Sequence, residues 1–430
     1  MSSKTIRALH VFPLFGQDLA NGSERYAYQL TRALADQGVE IEVLTTRARG
    51  AQWKGGFALA WPDYAPGPVE PGITVRHYRT PLAAPRIVGK AAQYLFEWHV
   101  QRERRRLGLA EARHSPDECH RIMAAQNRAS DWFALLCRGP LSIGLFLALW
   151  GALRRADVVL VSFLPLLLVP VVVWAARLRN KPVMVLPFFH ANDLPSNSRI
   201  QGEALVRANA VLELTGYTAQ HLARIWPGAR TVEIRGGVHP GALCDGRVQG
   251  ARFRAKHGLQ RVPLILFAGR KESGKRYDLA VEAMQWVQDP AAVLVMVGED
   301  VDRQPVNAPR VRYLGRLGED DLWDAFDACD VFVSPSEVES LGLVFLEAWA
   351  RGKPVIGNVN CPAVASLIDD GVDGFLCSDA KSIAQRINLL LGDAALRNSM
   401  GQAGKKKVLE KYTWDRVAET VHDLYRECAQ

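Results

Sequence analysis

Two rhythms run along the chain: short apolar runs with strand character, and longer stretches whose apolar positions recur with a helical period. Ile6 to Phe12 is a short run of the first kind. Pro13 to Ser23 is polar and glycine-bearing, and Glu24 to Gln37 sets Tyr26, Leu30, Ala33 and Leu34 on one helical face before Gly38 closes it. Val39 to Leu44 is a second strand, so the chain opens as the βαβ unit of a doubly wound parallel sheet, with a loop at the carboxyl end of its first strand. Residues 51–85 are rich in Gly, Pro and Trp around one short strand, Ile73 to Tyr78. Asp157 to Ala176 has the length of a membrane span by the rough 20-residue criterion. Pro165 and Pro170 divide it, however, into a β-branched strand and a shorter helix, and Val183 to Leu186 then reads as the next buried strand.

The second half repeats the pattern. Pro263 to Ala268, Ala291 to Val297, Val311 to Leu314 and Asp330 to Val333 read as parallel strands, with a helix over Tyr277 to Gln288. Gly and Pro accumulate between Arg235 and Arg261, which predicts an interdomain linker there. The tail places Val417, Val421 and Leu424 on one face of a final helix behind a Thr413 cap.

One run organises the rest. Val331 to Ile356 reads as strand, loop, helix, strand, with Glu339 in the loop and Glu347 on the helix. Pro335 bars continuation of the ladder, Gly342 lets backbone approach a ligand, and a helix beginning near Leu343 would leave the amides of Leu341, Gly342 and Leu343 at its amino end, where an anion such as a diphosphate is favoured. Carboxylates on either side accept bidentate hydrogen bonds from vicinal hydroxyls. Phosphates next to diols are the parts of a nucleotide sugar.

Glu339, seven residues and Glu347, with Ser340-Leu-Gly-Leu343 and Glu347-Ala-Trp-Ala-Arg-Gly-Lys-Pro-Val355, resemble the signature of the retaining glycosyltransferases of family 4. The resemblance covers nearly the whole chain and is dense over residues 5–46, 155–193 and 231–376. It implies an α/β GT-B fold: two Rossmann-like, doubly wound parallel-sheet domains facing a cleft. Residues 1–240 would bind the acceptor and carry a basic, apolar insert around 86–150, residues 241–410 would bind the nucleotide sugar, and residues 411–430 would cross back to the first domain as a helix.

The same resemblance implies roles. Gly22 in Asn21-Gly22-Ser23-Glu24 is similar to the family's Gly-Gly-x-Glu loop, with Asn21 in place of the first glycine; an ordinary helix cap explains Ser23 equally. His190, after the strand Val183 to Leu186, corresponds to the histidine that faces the donor sugar, and Asp193 would fix its tautomer; a satisfied loop histidine is the plainer reading. Arg270 and Lys275 match the donor-phosphate pair, while Lys271 and Arg276 are extra charges read as solvated. Arg316 lies in the loop bordering the base, Ser340, Leu341, Gly342 and Leu343 meet the phosphates, Glu339 the sugar hydroxyls and Glu347 the ribose. The implied chemistry is transfer with retention at the anomeric carbon, with His190, Glu339, Lys275 and Arg270 at the reacting centre. An ion-pair-like displacement would run on one face of the sugar, with no protein nucleophile, no metal and no other cofactor. The chain departs from the pattern at His239, at Asn360-Cys361 where the family has a Gly-Gly pair, and at Ala363; Gly371 to Leu376 restores it.

Composition narrows the partners. At 430 residues, 48% hydrophobic and 23% charged, the chain is globular and long enough for two domains. A net charge of +8 calls for an anionic partner. No aromatic and basic residues interleave on a strand-borne platform, which sets nucleic acid aside. The cysteines number seven with no Cys-x-x-Cys pair, which points to a reducing cytoplasm, and the amino terminus shows no secretory apolar region. Leu95 to Arg106 sets Phe96, Trp98 and Val100 beside Arg102, Arg104, Arg105 and Arg106, and an apolar segment follows from Trp132 to Trp150. Such residues suit peripheral contact with an anionic membrane at the inner face of the plasma membrane; a solvated basic face is the other reading. The expectation is a cytoplasmic enzyme of cell-envelope, exopolysaccharide or lipopolysaccharide synthesis, using a UDP-, GDP- or ADP-sugar and a glycan or lipid-linked acceptor. The competing readings are a non-catalytic GT-B scaffold or partner subunit at the membrane, and a nucleotide-sugar epimerase.

Overall fold

The computed structural model describes residues 5–16, 22–48, 53–54, 57–58, 72–80, 86–109, 115–126, 128–139, 142–190, 193–238, 243 and 248–429. Asn21 and His239 lie outside them, as does most of the 51–85 region. The chain forms two compact units, one of Met1–Ile234 with Val417–Gln430 and one of Arg235–Arg416.

Unit 1 is built on a seven-stranded parallel sheet. Its strands are β1 (Arg7–Val11), β2 (Glu40–Thr46), β5 (Ile73–Tyr78), β6 (Val158–Ser162), β7 (Val183–Leu186), β8 (Ala210–Glu213) and β9 (Thr231–Glu233), in the order β5-β2-β1-β6-β7-β8-β9. A separate antiparallel pair joins β3 (Trp53–Lys54) and β4 (Phe57–Ala58). The central strands β6 and β7 are buried at every residue, as unbroken Val-rich runs require when helices cover both sheet faces. Helix α1 (Gly22–Asp36) follows β1. The proline-punctuated segment becomes β6 and α6 (Leu168–Leu178). Among the described residues no helix is long and apolar enough to cross a membrane.

The insert folds as α2 (Arg86–Leu107), α3 (Pro116–Ala124), α4 (Arg128–Leu136) and α5 (Ile143–Arg155), so the apolar segment read as one from Trp132 to Trp150 is two helices. The basic, aromatic stretch needs a second correction. Phe96 and Val100 face inward and form a small core with Ala92, Ile122, Met123, Ala134 and Cys137; of the three apolar residues expected outside, only Trp98 is exposed, with the Arg102 guanidinium 5.5 Å from its ring centre. The strand-helix pattern then resumes with α7 (Arg199–Arg207) and α8 (Gly216–Ile225). The last helix, Trp414–Ala429, belongs to unit 1 from Val417 onward. There Tyr425 donates to or accepts from His10 Nε2 at 2.9 Å, and His10 Nδ1 lies 2.9 Å from Thr31 Oγ1. Burial lowers the pKa of His10 to about 3, so this ring is a neutral structural bridge.

Unit 2 carries a six-stranded parallel sheet of β10 (Leu264–Ala268), β11 (Val293–Val297), β12 (Val311–Tyr313), β13 (Val331–Ser334), β14 (Val355–Asn358) and β15 (Gly374–Cys377), ordered β12-β11-β10-β13-β14-β15. That is the Rossmann order, reversing between β10 and β13. The helix Leu343–Ala350 is clamped by Ala394–Lys411: Trp349 is fully buried, its Nε1 donates to the Asp373 carbonyl at 2.8 Å, and a Cβ placed on Gly404 would sit 1.9 Å from its ring. Truncating Trp349 to Ala costs about 3–5 kcal/mol on the scale of aromatic core truncations.

Candidate active site

The loops leaving β10 and β13 lie side by side because Ile265 pairs with Val331 and Leu266 with Phe332. In an open α/β sheet, the point of strand-order reversal is where a crevice opens above the carboxyl ends. The first loop carries Arg270 and Lys275, the second Glu339. Lys275 Nζ donates to Glu339 Oε1 at 2.7 Å, both side chains being mostly buried. The backbones are tied as well, with the Glu337 amide donating to the Gly274 carbonyl at 3.1 Å and Ser336 Oγ reaching the same carbonyl at 3.4 Å.

Beyond Glu339 the helix Leu343–Ala350 opens on Gly342, which takes φ +87°. A Cβ there would lie 2.7 Å from the Phe345 ring, so both the conformation and the space call for glycine. Leu343 and Val344, as opening residues, have no helical carbonyl behind their amides. Ser340 is half-buried and Leu341 is buried; Glu347 is buried one turn into the helix from Leu343. Arg270 is half-exposed and pairs with Glu272 at 2.9 Å. Arg316 is exposed and follows Gly315, whose carbonyl accepts from the Gly298 amide at 2.9 Å.

Neither extra charge is solvated. Lys271 is buried, donating to Asp300 at 2.7 Å, to the Gln304 carbonyl at 2.7 Å and to Asp302. Tyr277 Oη donates to the other Asp302 oxygen at 2.7 Å, and the Tyr277 and Tyr313 rings lie 5.4 and 5.8 Å from the ammonium. Desolvation opposes the charge, but the hydrogen bonds to Asp300 and Asp302 outweigh it and raise the Lys271 pKa. Arg276 has a left-handed backbone, φ +46°, and its guanidinium joins Asp278 at 3.0 Å to Glu337.

Two further residues border the site that the sequence did not assign to it. Cys361, in the loop after β14, is buried beside Glu339. Burial pushes its thiol up to about 11 against a hydrogen bond from the Val364 amide; the Glu339 carboxylate adds to the rise and the Glu339 amide opposes it. Gly236 lies so close to Leu341 that a Cβ would meet its Cδ2 at 2.1 Å. The signal for the second was the Gly236-Gly237 pair itself.

His190 and Gly22 belong to unit 1. His190 is partly buried and follows β7; its carbonyl accepts from the Asp193 amide at 2.9 Å, while the Asp193 carboxylate accepts from Ser196 N at 3.0 Å and Oγ at 2.6 Å. Gly22 is exposed and opens α1.

A plant protein, the sulfoquinovosyl transferase SQD2 of Arabidopsis thaliana, is 34% identical over 40% of this chain, which spans only 35% of that protein's length. A D-inositol 3-phosphate glycosyltransferase of Xylanimonas cellulosilytica is 27% identical over 98% of this chain and 96% of its own. Anabaena HepE, crystallised with UDP and glucose, shares the fold with a TM-score of 0.65 at 13% identity, covering 98% of this chain and all of that one. Residues 251–407, which hold Arg270, Lys275, Arg316, Glu339 and Glu347, match the family model described as glycosyl transferases group 1, and the fold is that of GT-B structures.

Proposed function

We propose that the protein is a retaining, hexosyl-type glycosyltransferase of family 4 that moves a sugar from a nucleotide-sugar donor to a glycan or lipid-linked acceptor in cell-envelope, exopolysaccharide or lipopolysaccharide synthesis. The observation that carries this reading is the contact of Lys275 with Glu339 at the strand-order reversal, beside the glycine-opened helix Leu343–Ala350. HepE's complex with UDP and glucose supports a nucleoside diphosphate sugar as donor.

In this reading the diphosphate lies on the amides at Leu341 to Leu343 and is neutralised by Arg270 and Lys275. Glu339 holds Lys275 in place and accepts from the sugar hydroxyls, Glu347 binds the ribose, and Arg316 borders the base. Charge builds on the leaving phosphate oxygen as the glycosidic bond breaks. Lys275, already fixed at 2.7 Å by a counter-ion, stabilises that charge without reorganising at the moment of reaction. On unit 1, Gly22 and His190 are assigned by motif to the sugar end of the donor. No step calls for a metal or other cofactor, and the setting is the cytoplasmic side of a membrane.

A thermal-shift panel of UDP, GDP and ADP sugars tests donor binding: a ligand at 100 times its Kd stabilises by about 2.7 kcal/mol. NMR of the product then reads the anomeric configuration. Retention is expected; inversion rejects the assignment, and donor turnover independent of acceptor replaces it with an epimerase.

A further inference from the structure

Helix α5 is apolar on both of its sides. Leu145, Leu149, Ala152 and Leu153 are buried in the core of unit 1, which accounts for one face. The opposite stripe is not covered: Ile143, Leu147 and Trp150 follow one another at helical spacing with 59%, 73% and 44% of their surface exposed. A helix with apolar residues all round is ordinarily buried all round. Next to this stripe stands the end of α6, where Leu178 is 75% exposed and the Arg179 guanidinium lies 4.0 Å from the Trp150 ring centre.

The charges on the outer face of α5 and at the end of α6 have one sign. α5 contains no acidic residue, and its outer face ends in the exposed Arg154. Arg177 is exposed beside Leu178, and the carboxylates that adjoin the end of α5 are engaged, Glu42 pairing with Arg155 at 2.9 Å and with Arg76 at 3.0 Å, and Asp157 with Arg7 at 2.9 Å. A single apolar stripe rimmed by arginines and carrying a Trp at its basic end has the distribution of a surface that sinks its side chains into acyl chains while its cations stay among phosphates. It is too narrow for a second copy of the chain, since stable protein interfaces use roughly 20–30 residues a side.

We propose that the outer stripe of α5, together with Leu178, docks unit 1 on an anionic lipid bilayer. This deepens the reading of a lipid-linked acceptor and narrows the contact from the 86–150 insert, to which the sequence points, to α5 and the end of α6. The proposal rests on that reading for its purpose but not for its geometry.

The test is flotation of the full chain with vesicles of equal parts phosphatidylglycerol and phosphatidylcholine, with donor turnover measured separately in detergent solution. Wild type floats, less so at high salt or with phosphatidylcholine alone. Leu147→Glu with Trp150→Ser lowers partitioning by about tenfold or more, Arg154→Glu with Arg177→Glu abolishes the preference for the anionic vesicles, and Leu95→Ser with Trp98→Ser leaves binding as it was. All three double variants keep wild-type turnover in detergent and wild-type thermal midpoints. Flotation unchanged in the α5 double variant, or wild type that ignores vesicles, overturns the proposal. So does a wild-type dimer that Leu147→Glu converts to monomer, since the stripe would then be an interface between copies. Loss of turnover in wild type would count against the transferase reading and leave the flotation result standing.

Discussion

The carboxyl edges of the two sheets solve the same problem in opposite ways. In unit 2 the polar groups at the edge are charged and matched in pairs, Lys275 with Glu339, Arg276 with Glu337 and Lys271 with Asp300 and Asp302. In unit 1 buried neutral groups stand at the strand ends, with the Arg47 guanidinium after β2 as a charged exception. Thr45 Oγ1, Ser162 Oγ and Glu213 Oε1 are buried near the ends of β2, β6 and β8 with no hydrogen-bond partner among the described residues. Burial pushes Glu213 up to about 8, against a hydrogen bond from Thr218, so its carboxyl is largely protonated at neutral pH. Each unsatisfied buried oxygen costs about 1–3 kcal/mol.

Four substitutions probe that contrast. The largest effect is expected from Lys275→Ala, which removes a charge-stabilising group and lowers kcat by about 10²–10³-fold while the thermal midpoint stays within a few degrees; turnover like wild type would separate the pair from catalysis. Next comes Glu213→Gln. A carboxyl raised from 4.5 to about 8 gives its full stability below pH 4.5 and loses it as pH climbs through 8. The variant is therefore expected to outlast wild type by a margin that grows to about 2–4 kcal/mol by pH 8 and vanishes near pH 4.5, read from unfolding midpoints across that range. Equal slopes with pH would mean that the edge of unit 1 is charged after all.

Lys271→Met leaves Asp302 without its cation. Because both carboxylates are partly solvated, the expected loss is about 2 kcal/mol, below the range for a fully buried pair, and urea unfolding measures it. The smallest effect is that of Gly342→Ala, about 1 kcal/mol of backbone strain. It is accompanied by weaker nucleotide binding in titration calorimetry, because the Phe345 ring must shift at the helix start.

How much of this could be read in advance depended on chain distance. The helix start at Leu343 was legible because Gly342 announces it, and β1, β2, β6, β7, β10, β11 and β13 were legible from their apolar runs, β7 residue for residue, whereas the short β8, β9 and β15 gave no such signal. Lys271 was not, since its neutralising carboxylates arrive from Asp300 and Asp302 through the pairing of β10 with β11. Lysine next to Arg270 and Lys275 looks like one more surface cation until that pairing is known. Phe96 and Val100 misled for a related reason: helical spacing shows which residues share a face of α2 but not which face α3 and α4 cover. Glu213 carries no local mark at all, because only burial makes it unusual.

The 415-residue span between His10 and Tyr425 bears on how the chain comes into being. Synthesis proceeds from the amino end, so the whole of 235–416 has emerged before the helix that closes over β1 exists. Strand β1, made early, waits for a helix made much later, and until Tyr425 has emerged His10 Nε2 lacks that hydrogen-bond partner.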